Sequence, residues 1–269
     1  MRVILVALFG AFFFGHAFAE DARLTSLTTA DETRGWEAVG RINVGNNAFC
    51  TGTLVSPTLV LTAAHCLFDQ ASGRRHDPSE FEFLAGWRNG RAVAYRGVKR
   101  AVTHPDYVFE GRDRMDRVAY DLAFLELDQP IRLPSVHPFA IGRDPMRGDE
   151  VGVVSYALDR SDAPSLQKAC EVLGRQPGVL VLTCAVDFGS SGAPIFTLQD
   201  GVPSIVSVVS AKAEMDSKPV ALGTEMSGPL AELRAEFERE ERTFRTVEPG
   251  LGTGVFNSSA KTSAKFVKP

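Results

Sequence analysis

The chain has 269 residues, 44% of them hydrophobic and 23% charged, with a formal net charge of −4. This composition excludes a disordered polyelectrolyte and leaves room for one large or two modest domains with an ordinary apolar core. The slightly acidic balance provides no global field to gather nucleic acid or an anionic membrane surface, so neither is an expected partner.

In chain order, the first feature is Arg2 followed by an apolar run from Val3 to Phe14 and then Ala17-Phe18-Ala19. Small residues at that spacing make residues 1–19 a cleaved secretory signal, with a mature start at Glu20 and cleavage after Ala17 as the weaker variant. The run falls short of the roughly 20 apolar residues that a membrane span needs. The expected destination is therefore secreted or periplasmic. Export into an oxidising compartment turns the four cysteines, which include no Cys-x-x-Cys pair, from metal ligands into disulfide partners. Of the three possible pairings, the sequence-local one joins Cys50 to Cys66 and Cys170 to Cys184.

Residues 20–35 form an N-terminal segment. From Trp36 to Met226 short β-prone runs alternate with turn residues, and helical periodicity is absent. Strands are predicted at Ala38–Val44, Ala48–Val55, Leu59–Thr62, Phe81–Leu84, Arg91–Val102 and Leu122–Leu127. A second series follows at Val151–Tyr156, Leu166–Leu173, Val179–Val186, Pro194–Leu198, Ile205–Ser210 and Val220–Thr224, with Asp200-Gly201 as a hairpin signal. Asp128 to Gly148 carries four prolines and reads as the connector. The predicted class is all-β, with two tandem six-stranded antiparallel barrels over residues 36–132 and 133–242, because closure removes exposed strand edges. Leu230, Leu233 and Phe237 lie at helical spacing and predict a C-terminal helix packed on the second barrel. Residues 243–269, rich in Gly, Ser, Thr and Lys, read as a tail, and Asn257-Ser258-Ser259 fits a glycosylation acceptor.

Three segments carry chemistry. The first is Cys50-Thr51-Gly52-Thr53-Leu54-Val55-Ser56-Pro57 running through Thr62-Ala63-Ala64-His65-Cys66, the second Asp121-Leu122-Ala123-Phe124-Leu125-Glu126-Leu127, and the third Gly189-Ser190-Ser191-Gly192-Ala193-Pro194. Together they resemble the chymotrypsin/trypsin-like serine peptidases, on the bacterial branch that includes glutamyl endopeptidases. The resemblance implies a chymotrypsin-like double barrel, a peptide or protein substrate, acyl transfer without metal or organic cofactor, and a Cys66–Cys50 crosslink. It assigns Ser191 as nucleophile, His65 as general base and Asp121 as the acid that fixes the imidazole's tautomer. The amides of Gly189 and Ser191 become the oxyanion donors. Ser191 rather than Ser190 is indicated because only it has Gly two before, Gly one after and Pro three after. Asp113 and Asp116, in a charged loop, are the fallback acids. His16 leaves with the signal, His76 and His137 lie in polar or Pro-rich loops, and His104 in His104-Pro105-Asp106-Tyr107 resembles a structural loop residue of that family.

Ser190 stands where activatable members of the family carry an aspartate that pairs with a newly cut N-terminus. Serine cannot form that pair, so activity independent of a specific new N-terminus is expected. By the same resemblance Ala185, Ser210 and Lys212 would line the specificity pocket, with Asp187 within reach if a gap intervenes. Ala185 brings no acid to select Arg or Lys. A monomer is expected. The rival readings are a catalytically silent scaffold that binds a protein partner, and an esterase built on the same triad.

Overall fold

The computed structural model describes residues 23–45, 48–110, 115–199 and 201–246. The expected signal, Asp113, Asp200, Asn257 and residues 247–269 lie outside them. The fold is mostly β, as the alternating pattern predicts. After the short β1 (Thr25–Ser26), six strands close a barrel: β2 (Val39–Val44), β3 (Ala48–Ser56), β4 (Leu59–Thr62), β5 (Phe81–Ala85), β6 (Ala94–Thr103) and β7 (Ala123–Leu127), in the order β2-β3-β4-β7-β6-β5. Ile42, Leu54, Val60, Phe83 and Leu125, on the inner face, and Leu61 and Phe124, on the outer face, are all fully buried. At 25 cal/mol per Å² of apolar surface, each such side chain contributes about 1.5–3 kcal/mol of burial.

The second group holds β8 (Ala140–Ile141), β9 (Glu150–Ala157), β10 (Arg160–Gln176), β11 (Val179–Leu182), β12 (Pro194–Gln199), β13 (Val202–Met215) and β14 (Lys218–Glu225). Its path β10-β11-β14-β13-β12-β9 returns on itself through pairing of β9 with β10, while β1 and β8 add to β10 and β13. Val153, Leu180, Leu182, Ile195 and Val206 fill its interior. Trp36, Phe139 and Phe196 join the two halves as an aromatic cluster with centroids 4.7 to 5.8 Å apart.

Register decides where the chemistry emerges. β4 and β7 are antiparallel with Thr62 opposite Ala123. The chain just after Thr62 and the chain just before Ala123 therefore leave the barrel at the same rim, which carries His65 and Asp121. In the other half, Pro194 opens β12 opposite Val208 of β13, so the turn that holds Ser191 lies beside Val209 and Ser210.

Three expectations need correction. The strand predicted to run to Val186 stops at Leu182, because beyond it the Thr183 amide turns to Glu171 O and the Ala185 amide to the Gln167 side chain. The charged stretch read as a loop contains a short helix α1 (Met115–Ala119), whose Val118 and Ala119 pack on Val179 and Leu222. The C-terminal helix α2 (Pro229–Thr246) packs on the first barrel instead of the second. Its stripe explains this: Leu230 and Leu233 are buried, Phe237 meets Phe124 edge-on at 5.8 Å, and Arg100 lies 3.7 Å over the Phe237 ring while donating to the Phe237 carbonyl.

Candidate active site

A 3-10 turn (Ala64–Leu67) follows β4 and carries His65 between buried Ala64 and Cys66. The Cys50–Cys66 disulfide ties this turn to β3, and Cys170–Cys184 ties β10 to the segment before the nucleophile turn. These are the sequence-local pairings. Asp121 is 1% exposed yet fully engaged. Its Oδ1 accepts the His65 amide at 2.8 Å, and its Oδ2 accepts His65 Nδ1 at 2.7 Å and the Ser210 hydroxyl at 2.5 Å. A buried carboxylate is tolerated only when donors replace its water, and here three do. Asp116, the fallback acid, lies exposed on α1.

The Ser191 turn is clamped from both barrels. Thr51 of β3 donates its amide to Ser191 O at 2.9 Å and its hydroxyl to Gly189 O at 2.8 Å. The same hydroxyl accepts the Tyr156 amide at 3.1 Å, and Thr62 donates to Thr51 O at 2.8 Å. On the other side Gly192 donates to Val209 O at 2.8 Å, and Val209 donates to Ala193 O at 2.9 Å. Ser191 is thus held against β3, which pairs with the strand that precedes His65, and its turn is held against the strand whose Ser210 grips Asp121. Among the described residues the Ser191 hydroxyl makes no hydrogen bond to the protein.

Gly192 explains the tightness. Its φ is +79°, and a Cβ there would sit 2.1 Å from Thr62 Oγ1 and 2.3 Å from Thr51 O. Gly189 has φ +95°, and a Cβ would meet the Phe49 ring at 2.3 Å. Both positions require glycine.

Two peptide planes in the turn share one arrangement. Phe188 O accepts the Leu158 amide at 2.8 Å, and Ser190 O accepts the Ala193 amide at 2.9 Å. A trans peptide sets N–H opposite to C=O, so anchoring these carbonyls turns the amides of Gly189 and Ser191 the other way. Among the described residues neither amide donates to the protein, whereas those of Ser190, Gly192 and Ala193 do. Two free donors flanking the serine can hold a developing oxyanion.

The residues expected to line the pocket separate. Ser210 is buried and its hydroxyl is committed to Asp121. Ala185 is exposed, with its amide held by Gln167. Lys212 of β13 is exposed and lies 3.6 Å from Asp187, at the start of the Ser191 turn. No motif marked Thr51 as the junction of the site, because its partners are 11, 105, 138 and 140 positions away.

Among the described residues two clusters approach metal-binding spacing. Cys50, Cys66 and His65 converge, but both sulfurs are consumed in the disulfide. His104, Asp106 and Glu232 also converge, yet His104 Nδ1 accepts the Asp106 amide at 3.1 Å, which leaves the proton on Nε2 and no lone pair for a cation. His104 is buried against Tyr120, and burial holds its pKa below the ordinary histidine value, with Glu232 and Asp106 opposing.

Residues 50–203, more than half the chain, match the family model described as a trypsin-like peptidase domain. The chain is 35% identical over 105 residues to a trypsin of Phaedon cochleariae, covering 38% of this chain and 36% of that protein. It is 25% identical over 148 residues to a glutamyl endopeptidase of Bacillus licheniformis, covering 55% of this chain and 45% of that one. It therefore spans less than half the length of these relatives. Among solved structures, a Glu endopeptidase superposes with TM-score 0.66 at 19% identity, over 80% of this chain and 97% of the other. A scabies mite inactivated protease paralogue superposes with TM-score 0.61 at 16% identity, over 81% and 97%.

Proposed function

We propose, from the premise that this chain belongs to the trypsin-like peptidase domain family, that it is an exported serine endopeptidase working through Ser191, His65 and Asp121. The observation that carries the reading is the continuous hydrogen-bond chain from Ser210 through buried Asp121 to His65 Nδ1, on a rim to which the Ser191 turn is clamped by Thr51 and Val209. A general base needs one ring nitrogen held as a donor so that the other can accept a proton, and this chain holds Nδ1 that way.

In the proposed sequence Ser191 Oγ attacks a peptide carbonyl while its proton passes to His65 Nε2. The carbonyl oxygen, now negative, is held by the Gly189 and Ser191 amides. Collapse expels the amine with the proton from His65 and leaves an acyl-enzyme on Ser191. Water, deprotonated by the same imidazole, then releases the acid. Asp121 stabilises the imidazolium and keeps its own charge.

The silent-scaffold reading has one specific point in its favour, since an inactivated protease paralogue shares the fold. What opposes it is the presence of all three side chains and two undonated amides. The test is labelling by a fluorophosphonate followed by a peptide library. Labelling confined to Ser191 and cleavage of peptides are expected, while Ser191→Ala should lose turnover by about a million-fold, as in a related triad. Near-normal turnover in that variant rejects the assignment.

A further inference from the structure

We infer that Arg160 is a positioning residue that holds the nucleophile turn in its working shape through Ser190. The inference rests on the catalytic reading above for its kinetic consequence, though not for its geometry. Ser190 is 0% exposed and lies between the two undonated amides. The peptide plane after its Cα carries the Ser191 N–H, and the plane before it carries Gly189 O, so fixing Ser190 sets the first amide directly and restrains the Gly189 backbone next to it.

A hydroxyl has one proton and two lone pairs, and Ser190 uses them all. Its one proton is shared between Tyr156 O at 3.2 Å and Ser155 Oγ at 3.3 Å, and one lone pair accepts the Asp187 amide at 3.3 Å. Arg160 supplies the remaining donor. From the start of β10 its Nη2 reaches Ser190 Oγ at 3.4 Å and Ser155 Oγ at 3.2 Å. Asp187 opens the turn and Ser190 stands within it, so the guanidinium meets the turn at the one hydroxyl that also accepts the Asp187 amide.

The electrostatics of Arg160 make a purely scaffolding role a poor fit. Its side chain is only 13% exposed, and its ion-pair partner Asp159, at 3.0 Å, is 73% exposed and well screened. Its Nε is buried with no partner. A largely buried cation with an orphaned donor is costly unless its remaining donors are used. The residue makes sense where its hydrogen bonds to Ser190 and Ser155 are needed.

The test uses the full chain and two independent readouts on Arg160→Ala, Arg160→Lys and Ser190→Ala. Hydrogen exchange of the Ser190, Gly192 and Ala193 amides should accelerate about 10-fold or more in Arg160→Ala, the scale of one lost charge-assisted hydrogen bond, and less in Arg160→Lys. In parallel kcat, normalised to active sites by fluorophosphonate titration, should fall about 10-fold or more with KM within about twofold, because the lost interaction serves the transition state. The Arg160→Ala and Ser190→Ala effects on exchange and kcat should be non-additive. Should Arg160→Ala not fold, Arg160→Gln keeps most of the stem and carries the same readouts. Exchange unchanged within about twofold, or additive effects, overturns the inference. A wild-type chain that turns over nothing, but whose turn amides loosen in Arg160→Ala, removes the catalytic reading and leaves the positioning role standing.

Discussion

Asp121→Asn is the most discriminating change available at this site, because the structure dictates which way the amide must point. Asp121 receives three donors: the His65 amide on Oδ1, and His65 Nδ1 and the Ser210 hydroxyl on Oδ2. Asparagine offers one accepting oxygen and one NH2 group. The His65 amide cannot reverse, so the oxygen goes to it and the NH2 takes the place of Oδ2. There Ser210 can rotate to accept, but the imidazole can do so only by exchanging tautomers, moving its proton to Nε2. In the proposed mechanism the nitrogen that deprotonates Ser191 is then already protonated. An equivalent change in a related triad lowers kcat by about 10,000-fold with the geometry intact, and the same scale is expected here. The lost charge-assisted hydrogen bonds should also cost about 1.5–3 kcal/mol of stability. The assay is kcat on a peptide ester together with the fluorophosphonate labelling rate, with circular dichroism to establish folding. A folded Asp121→Asn protein within about 10-fold of wild-type kcat would refute the tautomer mechanism and reassign the base.

Four further outcomes follow from the packing. Gly192→Ala forces a Cβ into Thr62 and Thr51 at φ +79°; it should cost about 3 kcal/mol or more and lower the melting temperature by about 10 °C, read by thermal unfolding. Thr51→Val removes the hydroxyl shared by Gly189 O and the Tyr156 amide and should destabilise by about 1–3 kcal/mol in urea titration. Replacing Cys50 and Cys66 with serine opens a loop of sequence separation 16 and should cost about 3 kcal/mol on the chain-entropy model. Burial lowers the pKa of His104, so as pH falls through the ordinary value of about 6.5 the unfolded chain takes up its proton first and the folded state loses stability, while nothing is lost above pH 7.5. His104→Asn should flatten that part of the urea midpoint's pH dependence between about pH 7.5 and 5.5.

Much of the fold was legible because its cues are local. Alternation of apolar residues marks strands such as Val39–Val44, and the antiparallel pairing of Thr62 with Ala123 follows once the strands are placed. The partner of the C-terminal helix was not legible. Leu230, Leu233 and Phe237 show that a stripe must be covered, but not by which barrel. Arg100 and Phe124, which cover it, are distant in sequence and carry no mark of that role. Helix α1 was hidden for another reason. Five residues hold too little periodicity to reveal a helix, and this one is held by tertiary contacts, with Thr224 donating to Val118 O at 2.6 Å.

The candidate site divides along the same line. His65, Asp121 and Ser191 were visible because each is embedded in a run of characteristic neighbours, whereas the groups that hold them carry no mark of that role, Thr51 included although it lies within the first of those runs. Thr51, Tyr156 and Val209 act through main-chain atoms or a single hydroxyl, and almost any sequence supplies such atoms. Their role exists only when two barrels bring them to one turn. Ser190 marks the boundary between the two kinds of information. From the sequence it is a departure that removes a familiar ion pair and says nothing about the replacement. From the structure the replacement is Arg160, 30 positions away, a cation that meets a neutral hydroxyl instead of a carboxylate. A neutral partner holds a cation less tightly than a charged one, so this turn should be easier to loosen than one closed by a buried ion pair. Ser190→Asp tests that directly: the carboxylate should draw Arg160 into a bidentate pair, slow exchange of the Gly192 and Ala193 amides and raise the melting temperature. A lowered melting temperature with faster exchange would mean that Arg160 does not face this position closely enough to hold the turn.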